Sequence, residues 1–188
     1  MTRRGLVAVL VGALMLGGCA RGVASPPAGS SAGSPAVAEA SSAADWPAGV
    51  KEAEVYTAVL HRYLGTRDEN SISANGFATT YVLAQAISGE PLPDNAKYQI
   101  TTAMSDVTTV RFVATREEVV VTSDGCPHTP PGTILVTLGT IDGDDNTVQV
   151  KVYGFVACLG ATWLTYVLRN SEGPGWTVTG TTGERAIA

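Results

Sequence analysis

Hydrophobic positions keep a helical period near the middle of this chain and a two-residue period near its end. In VKEAEVYTAVLHRYLG (50–65), Tyr56, Val59, Leu60, Tyr63 and Leu64 fall on one helical stripe, and Gly65 supplies a C-terminal stop. FATTYVL (77–83) reads as a strand. PDNAKYQITTAMSD (93–106) predicts a second helix, with Asp94 as N-cap and Ile100, Ala103 and Met104 turned inward. VRFVAT (110–115) and VVVTS (119–123) are short β-rich runs. TILVTLGTI (133–141), TVQVKVYGFVA (147–157), ATWLTYVLR (161–169) and WTVTG (176–180) follow as strands, with DGDDN and SEGPG as turn-forming clusters. Connections this short predict an antiparallel meander, because parallel neighbours need a long crossover. Gly154 in mid-strand predicts a bulge or bend, and with it a curved sheet. The expected class is α+β, with N-terminal helices packed on one face of that meander.

The beginning of the chain follows neither period. Arg3 and Arg4 precede an uncharged apolar run, Gly5 to Leu16, of 12 residues. That length suits a signal peptide and is short of the roughly 20 residues a membrane-spanning helix needs. The run ends in Leu16-Gly17-Gly18-Cys19, which resembles the lipobox of bacterial lipoprotein precursors. The resemblance implies cleavage before Cys19 and a diacylglycerol on its thiol, the nucleophile that forms the thioether. It also implies further acylation of the freed amine, since one acyl chain alone holds a membrane only marginally. Residues 1–18 are therefore expected to be the signal peptide. Cys19 with residues 20–44 would be the lipidated anchor and tether, and residues 45–188 a single globular domain. From Ala20 to Ala44, 9 Ala, 6 Ser, 3 Pro and 3 Gly leave only four other residues. Such a segment cannot bury enough apolar surface to order itself. It predicts a flexible tether with a reach on the order of 25–30 Å. The Arg3-Arg4 pair leaves general secretory and twin-arginine export both open.

The formal net charge of -5 argues against nucleic acid, whose binders present a basic face. It argues equally against a polybasic membrane patch.

Candidate chemistry is sparse. With Cys19 lipidated, Cys126 and Cys158 remain, and outside the cytoplasm such a pair predicts a disulfide rather than a catalytic thiol. On the meander register, Cys158 would face the neighbourhood of Pro130, and the loop GCPHTPPG could fold back to bring Cys126 within disulfide distance. Asp142-Gly143-Asp144-Asp145-Asn146 starts like a calcium loop but lacks the glycine and the closing glutamate, so it reads as a hairpin turn. Only His61 and His128 could serve a hydrolase, and no G-x-S-x-G elbow accompanies them. Thr179-Gly180-Thr181-Thr182-Gly183 lacks a P-loop lysine and reads as a terminal strand and turn. No catalytic residue, metal or cofactor is expected.

One constellation is aromatic. Val148, Val150, Val152 and Val156 share the strand face expected to lie under the helices, while Tyr153 and Phe155 share the other. If Leu159-Gly160 is a two-residue turn, Tyr166 lies opposite Tyr153 and Leu164 opposite Phe155. Tyr153, Phe155, Leu164 and Tyr166 would then form a wet-rimmed apolar patch that could take a ligand or partner, or else ordinary core beneath a loop. GFVACLGATWLTYVL and GWTVTGTTG resemble the end of actinobacterial envelope lipoproteins, a likeness that implies no activity. Helix plus curved sheet resembles cystatin-like or nuclear-transport-factor-like cones, and fold likeness assigns no function.

The expectation is a lipoprotein held on the extracytoplasmic side of the cell membrane. Its domain would bind an envelope protein or a small apolar ligand, without catalysis. A secreted-side hydrolase and a purely structural envelope component are the alternatives.

Overall fold

The helical stripe forms α1 (Val50–Gly65), which buries Ala53, Val55, Tyr56, Val59, Leu60 and Tyr63, while Leu64 stays half-buried. The structure is a computed structural model that describes residues 49–70, 76–171 and 175–188. The expected signal peptide, Cys19 and the expected tether lie outside the described residues, as does the middle of the SEGPG cluster. A four-residue helix, α2 (Arg67–Asn70), follows α1. The second predicted helix is α3 (Asp94–Ala103), which buries Ala96 and Ile100, with Met104 buried just beyond its end. Two details differ from expectation. Pro93 holds the N-cap position, Asp94 opens the helix and pairs with Lys97 at 2.7 Å, and Ala103 is exposed.

Strands β1 (Thr79–Leu83), β2 (Thr109–Val113), β3 (Val121–Ser123), β4 (Cys126–His128), β5 (Thr133–Gly143), β6 (Thr147–Ala157), β7 (Gly160–Ser171) and β8 (Gly175–Ile187) form one sheet. β5 to β8 are the predicted antiparallel meander. The first strands are not antiparallel. β1 lies between β2 and β5 and runs parallel to both. The chain from β1 to β2 passes through α3, which supplies the long crossover that parallel pairing demands. The sheet is therefore mixed. β8 continues through the predicted terminal turn, with Gly183 (φ 71°) in an irregular stretch of the β7–β8 ladder.

The core lies between α1, α3 and one sheet face, where Ile134, Val136 and Leu138 of β5 meet Val148, Val150 and Val152 of β6. α1 reaches successive strands of the meander. The Tyr56 hydroxyl donates to the Gly139 carbonyl of β5 at 3.0 Å, and the Tyr63 hydroxyl bonds Thr162 of β7. α1 also packs on β8. Gly154 of β6 makes no bulge; the register shifts fall between Leu138 and Ile141 and between Phe155 and Ala157. What requires glycine is Tyr63, because a Cβ at residue 154 would stand 1.8 Å from its hydroxyl oxygen.

Candidate functional site

Side chains alternate across the strands, so register decides which residues share a face. β6 pairs with β7 such that Tyr153 opposes Trp163, Phe155 opposes Ala161, Val152 opposes Leu164 and Val150 opposes Tyr166. The predicted pairing of Tyr153 with Tyr166 is displaced by three positions. Ala157 pairs with Gly160, which puts the turn at Cys158-Leu159, one residue earlier than expected, and a β6 irregularity around Val156 shifts the ladder further. An odd displacement inverts the face. Leu164 (4% exposed) and Tyr166 (0%) therefore belong to the helix-covered core, while Tyr153 and Phe155 occupy the opposite face. The four-residue patch is not assembled.

What stands on the opposite face is a different aromatic pair. Tyr153 and Trp163 pack with ring centroids 5.0 Å apart and planes inclined by 36°. They border a cavity of about 480 Å³, walled also by Leu83 at the end of β1, Ile87, Ala114 and Thr137. Trp163 is 40% exposed and Ile87 52%. The turn carrying Ile87 is fastened from both sides. Ala86 N–H donates to Glu90 O, and Ile87 N–H donates to Leu138 O, each at 2.8 Å. None of the described residues lining the cavity is charged. Farther along the same face the surface is closed. The Arg116 guanidinium lies 4.0 Å from the centre of the Phe155 ring, and Leu135 packs with Val113 and Val119. Phe155 is therefore buried beneath the short helical turn that Arg116 opens and does not line the cavity.

On the helix side, Tyr166 serves a polar network. Its hydroxyl donates to Glu69 Oε2 at 2.5 Å, and Arg62 grips the same carboxylate through Nη2 at 2.6 Å and Nε at 3.1 Å. Asn70 Nδ2 donates to the Tyr63 carbonyl at 2.8 Å. Burial, reinforced by the Glu69 carboxylate, holds the Tyr166 hydroxyl protonated far above the usual phenol range. Burial pushes Tyr63 up to about 12, against the opposing effect of its hydrogen bond with Thr162. These groups satisfy one another and fasten α1 and α2 to β7; their arrangement is structural.

Cys126 and Cys158 form a disulfide with Cα atoms 5.5 Å apart. Cys126 arrives there on β4, which pairs with β3 as a hairpin and with β6 through His128 and Ala157, rather than on a loop that folds back. His128 Nδ1 donates to the Cys126 carbonyl at 3.2 Å, and His61 is exposed on α1. In the acidic turn, Asp144 Oδ1 accepts from the Thr147 and Asn146 N–H groups at 2.7 and 2.8 Å, which lowers its carboxyl below the usual range. Asp145 pairs with Lys51 at 3.0 Å. Among the described residues no group of three or more His, Cys, Asp or Glu side chains is placed to hold a metal.

Trp163 is the residue that sequence reasoning missed. Its signal was present in ATWLTYVLR, where Leu164, Tyr166 and Leu168 alternate with a mixed set, Trp163, Thr165, Val167 and Arg169. Comparison of the chain with protein-family models, curated proteins and solved structures found no match.

Proposed function

We propose that this chain is an envelope lipoprotein, anchored through lipidated Cys19 on the extracytoplasmic side of the cell membrane, whose domain holds a small apolar ligand without catalysis. The observation that carries the binding half is the Tyr153–Trp163 pair beside an uncharged cavity of about 480 Å³. Pockets of several hundred cubic ångströms with aromatic walls and few polar groups suit drug-sized apolar molecules. The anchoring half rests on the LGGC segment and the Ala/Ser/Pro/Gly tether after it. Among the described residues no helix is long and apolar enough to cross a membrane. We read the meander and α1 as a cone of the cystatin-like or nuclear-transport-factor-like kind. The support is the reach of α1 across β5, β6, β7 and β8. In that reading α1 fills the interior and leaves the outer face for ligand.

Two measurements test the two halves. Cys19→Ala should leave an uncleaved precursor or release the chain from membranes; a wild-type chain found wholly in the aqueous phase of a detergent partition contradicts the anchor. Organic extracts of the purified chain, read by mass spectrometry, should contain an apolar species that Trp163→Ala loses. Identical extracts from both proteins contradict the ligand site.

A further inference from the structure

The cavity beside Tyr153 and Trp163 has a polar end. Six threonines are buried among the described residues: Thr80, Thr108, Thr129, Thr133, Thr137 and Thr162. Five of them have a bonded hydroxyl. Thr80 and Thr108 bond one another, Thr129 donates to the Thr133 carbonyl, Thr133 donates to the Pro130 carbonyl, and Thr162 bonds Tyr63. The sixth, Thr137, is 9% exposed and lines the cavity, and its hydroxyl has no hydrogen-bond partner among the described residues. That hydroxyl is not sealed in, because the side-chain atoms both fully buried and unpaired belong to Glu54 and Trp176. β5 is flanked here by β1 and β6 and backed by the helix-covered core, so what Thr137 exposes faces the cavity. A largely buried polar group without a partner carries its desolvation cost until something bonds it.

Register puts that hydroxyl in line with the aromatic pair. Thr137 opposes Tyr153 across β5 and β6, and Tyr153 opposes Trp163 across β6 and β7, so the three form one row. Neighbouring strands lie about 4.8 Å apart, which sets Thr137 and Trp163 about 10 Å apart along the row. The turn carrying Ile87 overhangs the Thr137 end, tied to the carbonyl of Leu138, the next residue. A ligand lying along the row meets a hydroxyl at one end and aromatic surface over the rest. A threonine hydroxyl both donates and accepts, so it serves a hydroxyl or a carbonyl equally. An ionised head in its place would lose its hydration without gaining a counter-charge, since no charged described residue lines the cavity. We infer that the cavity takes an apolar molecule carrying one neutral oxygen function, an alcohol or a ketone, and that Thr137 is the residue that selects it. This rests on the reading of the Tyr153–Trp163 cavity as a ligand site.

The test follows the Trp163 indole N–H resonance, assigned by Trp163→Phe, in the full chain labelled at tryptophan nitrogen and held in zwitterionic micelles. The probes share one frame: 4-tert-butylcyclohexanol, 4-tert-butylcyclohexanone, the hydrocarbon tert-butylcyclohexane, 4-tert-butylcyclohexanecarboxylate and 4-tert-butylcyclohexylammonium. The alcohol and the ketone should shift the signal saturably and bind about three- to tenfold tighter than the hydrocarbon, the worth of one neutral hydrogen bond. Both ions should bind more weakly than the alcohol. Thr137→Val should erase the preference for oxygen, and Thr137→Ser should keep it. Thr137→Val should also unfold at no lower denaturant concentration than wild type, because a methyl takes the place of an unpaired hydroxyl. If no probe moves Trp163, the ligand site itself fails and the inference with it. If the site binds but hydrocarbon equals alcohol, an ion binds tightest, or Thr137→Val keeps the preference, the inference alone is overturned. Earlier unfolding of Thr137→Val would reveal a partner for the hydroxyl within the protein and overturn it as well.

Discussion

The two faces of β5, β6 and β7 are made from alternate residues of the same strands, yet they differ in kind. The helix-covered face is closed by shape and by hydrogen bonds: Leu164, Tyr166 and Leu168 lie buried, and the hydroxyls of Tyr63 and Tyr166 have partners. The other face is closed only where Arg116 and Val119 cover Phe155 and Leu135. Where that cover stops, Tyr153 and Trp163 border a cavity. Neighbours in sequence can therefore have opposite roles. Substitutions on the first face should cost stability, and those at the Tyr153–Trp163 cavity should cost little.

The largest expected effect sharpens this at the covered end of the open face. The disulfide closes 32 residues of chain, so Cys126→Ser with Cys158→Ser should lower unfolding stability by about 3–4 kcal/mol in denaturant titrations. A stability indistinguishable from wild type would mean that the β3–β4 hairpin is held by other contacts. Next comes a pair of adjacent residues. Leu164→Ala should cost about 3 kcal/mol, as buried leucine truncations do. Trp163→Ala should cost less than about 1 kcal/mol. If the two losses are equal, the contrast between the faces is broken. Smaller still is the loss of one hydroxyl. Tyr166→Phe deprives the buried Glu69 carboxylate of a donor and should cost about 1–3 kcal/mol. Tyr153→Phe should fall within about 0.5 kcal/mol.

The last prediction concerns pH and is silent at neutrality. Tyr63 is raised from 10.0 to about 12, and Tyr56 and Tyr166 are raised further, all because burial penalises the phenolate. The folded state thus favours the neutral phenol. That stability is complete below about pH 10 and is lost as the pH rises through 12. Phenolate absorbance followed with circular dichroism should show these three tyrosines ionising together with unfolding. Ionisation of all six tyrosines near pH 10 in a still-folded chain would contradict the assignment.

Much of the local structure was legible because it depends on short spacings. The α1 stripe, the limits of β6 and the two-residue period of β7 follow from which residues are apolar at intervals of two, three or four. The disulfide was legible because two cysteines remained, although the strand β4 that carries Cys126 to the end of β6 was not. The parallel pairing around β1 was less visible, although the helix between β1 and β2 was in the sequence. A crossover permits parallel pairing without naming the partner, and β5, not an early neighbour, became the second one.

By itself, the sequence determined α1, α3, the longer strands and the parity of apolar residues within them, but not α2, β4 or the extent of β8, because those it determined follow from backbone geometry over a few residues. Only the tertiary structure decided which parities face each other. That choice hung on a turn at Cys158-Leu159 and an irregularity around Val156, a displacement of three positions that sent Tyr166 into the core and left Trp163 beside Tyr153. Register is a long-range property: it is set where two strands and their turn reach the best joint packing, here with Tyr63 seated on Gly154. No single strand carries that information.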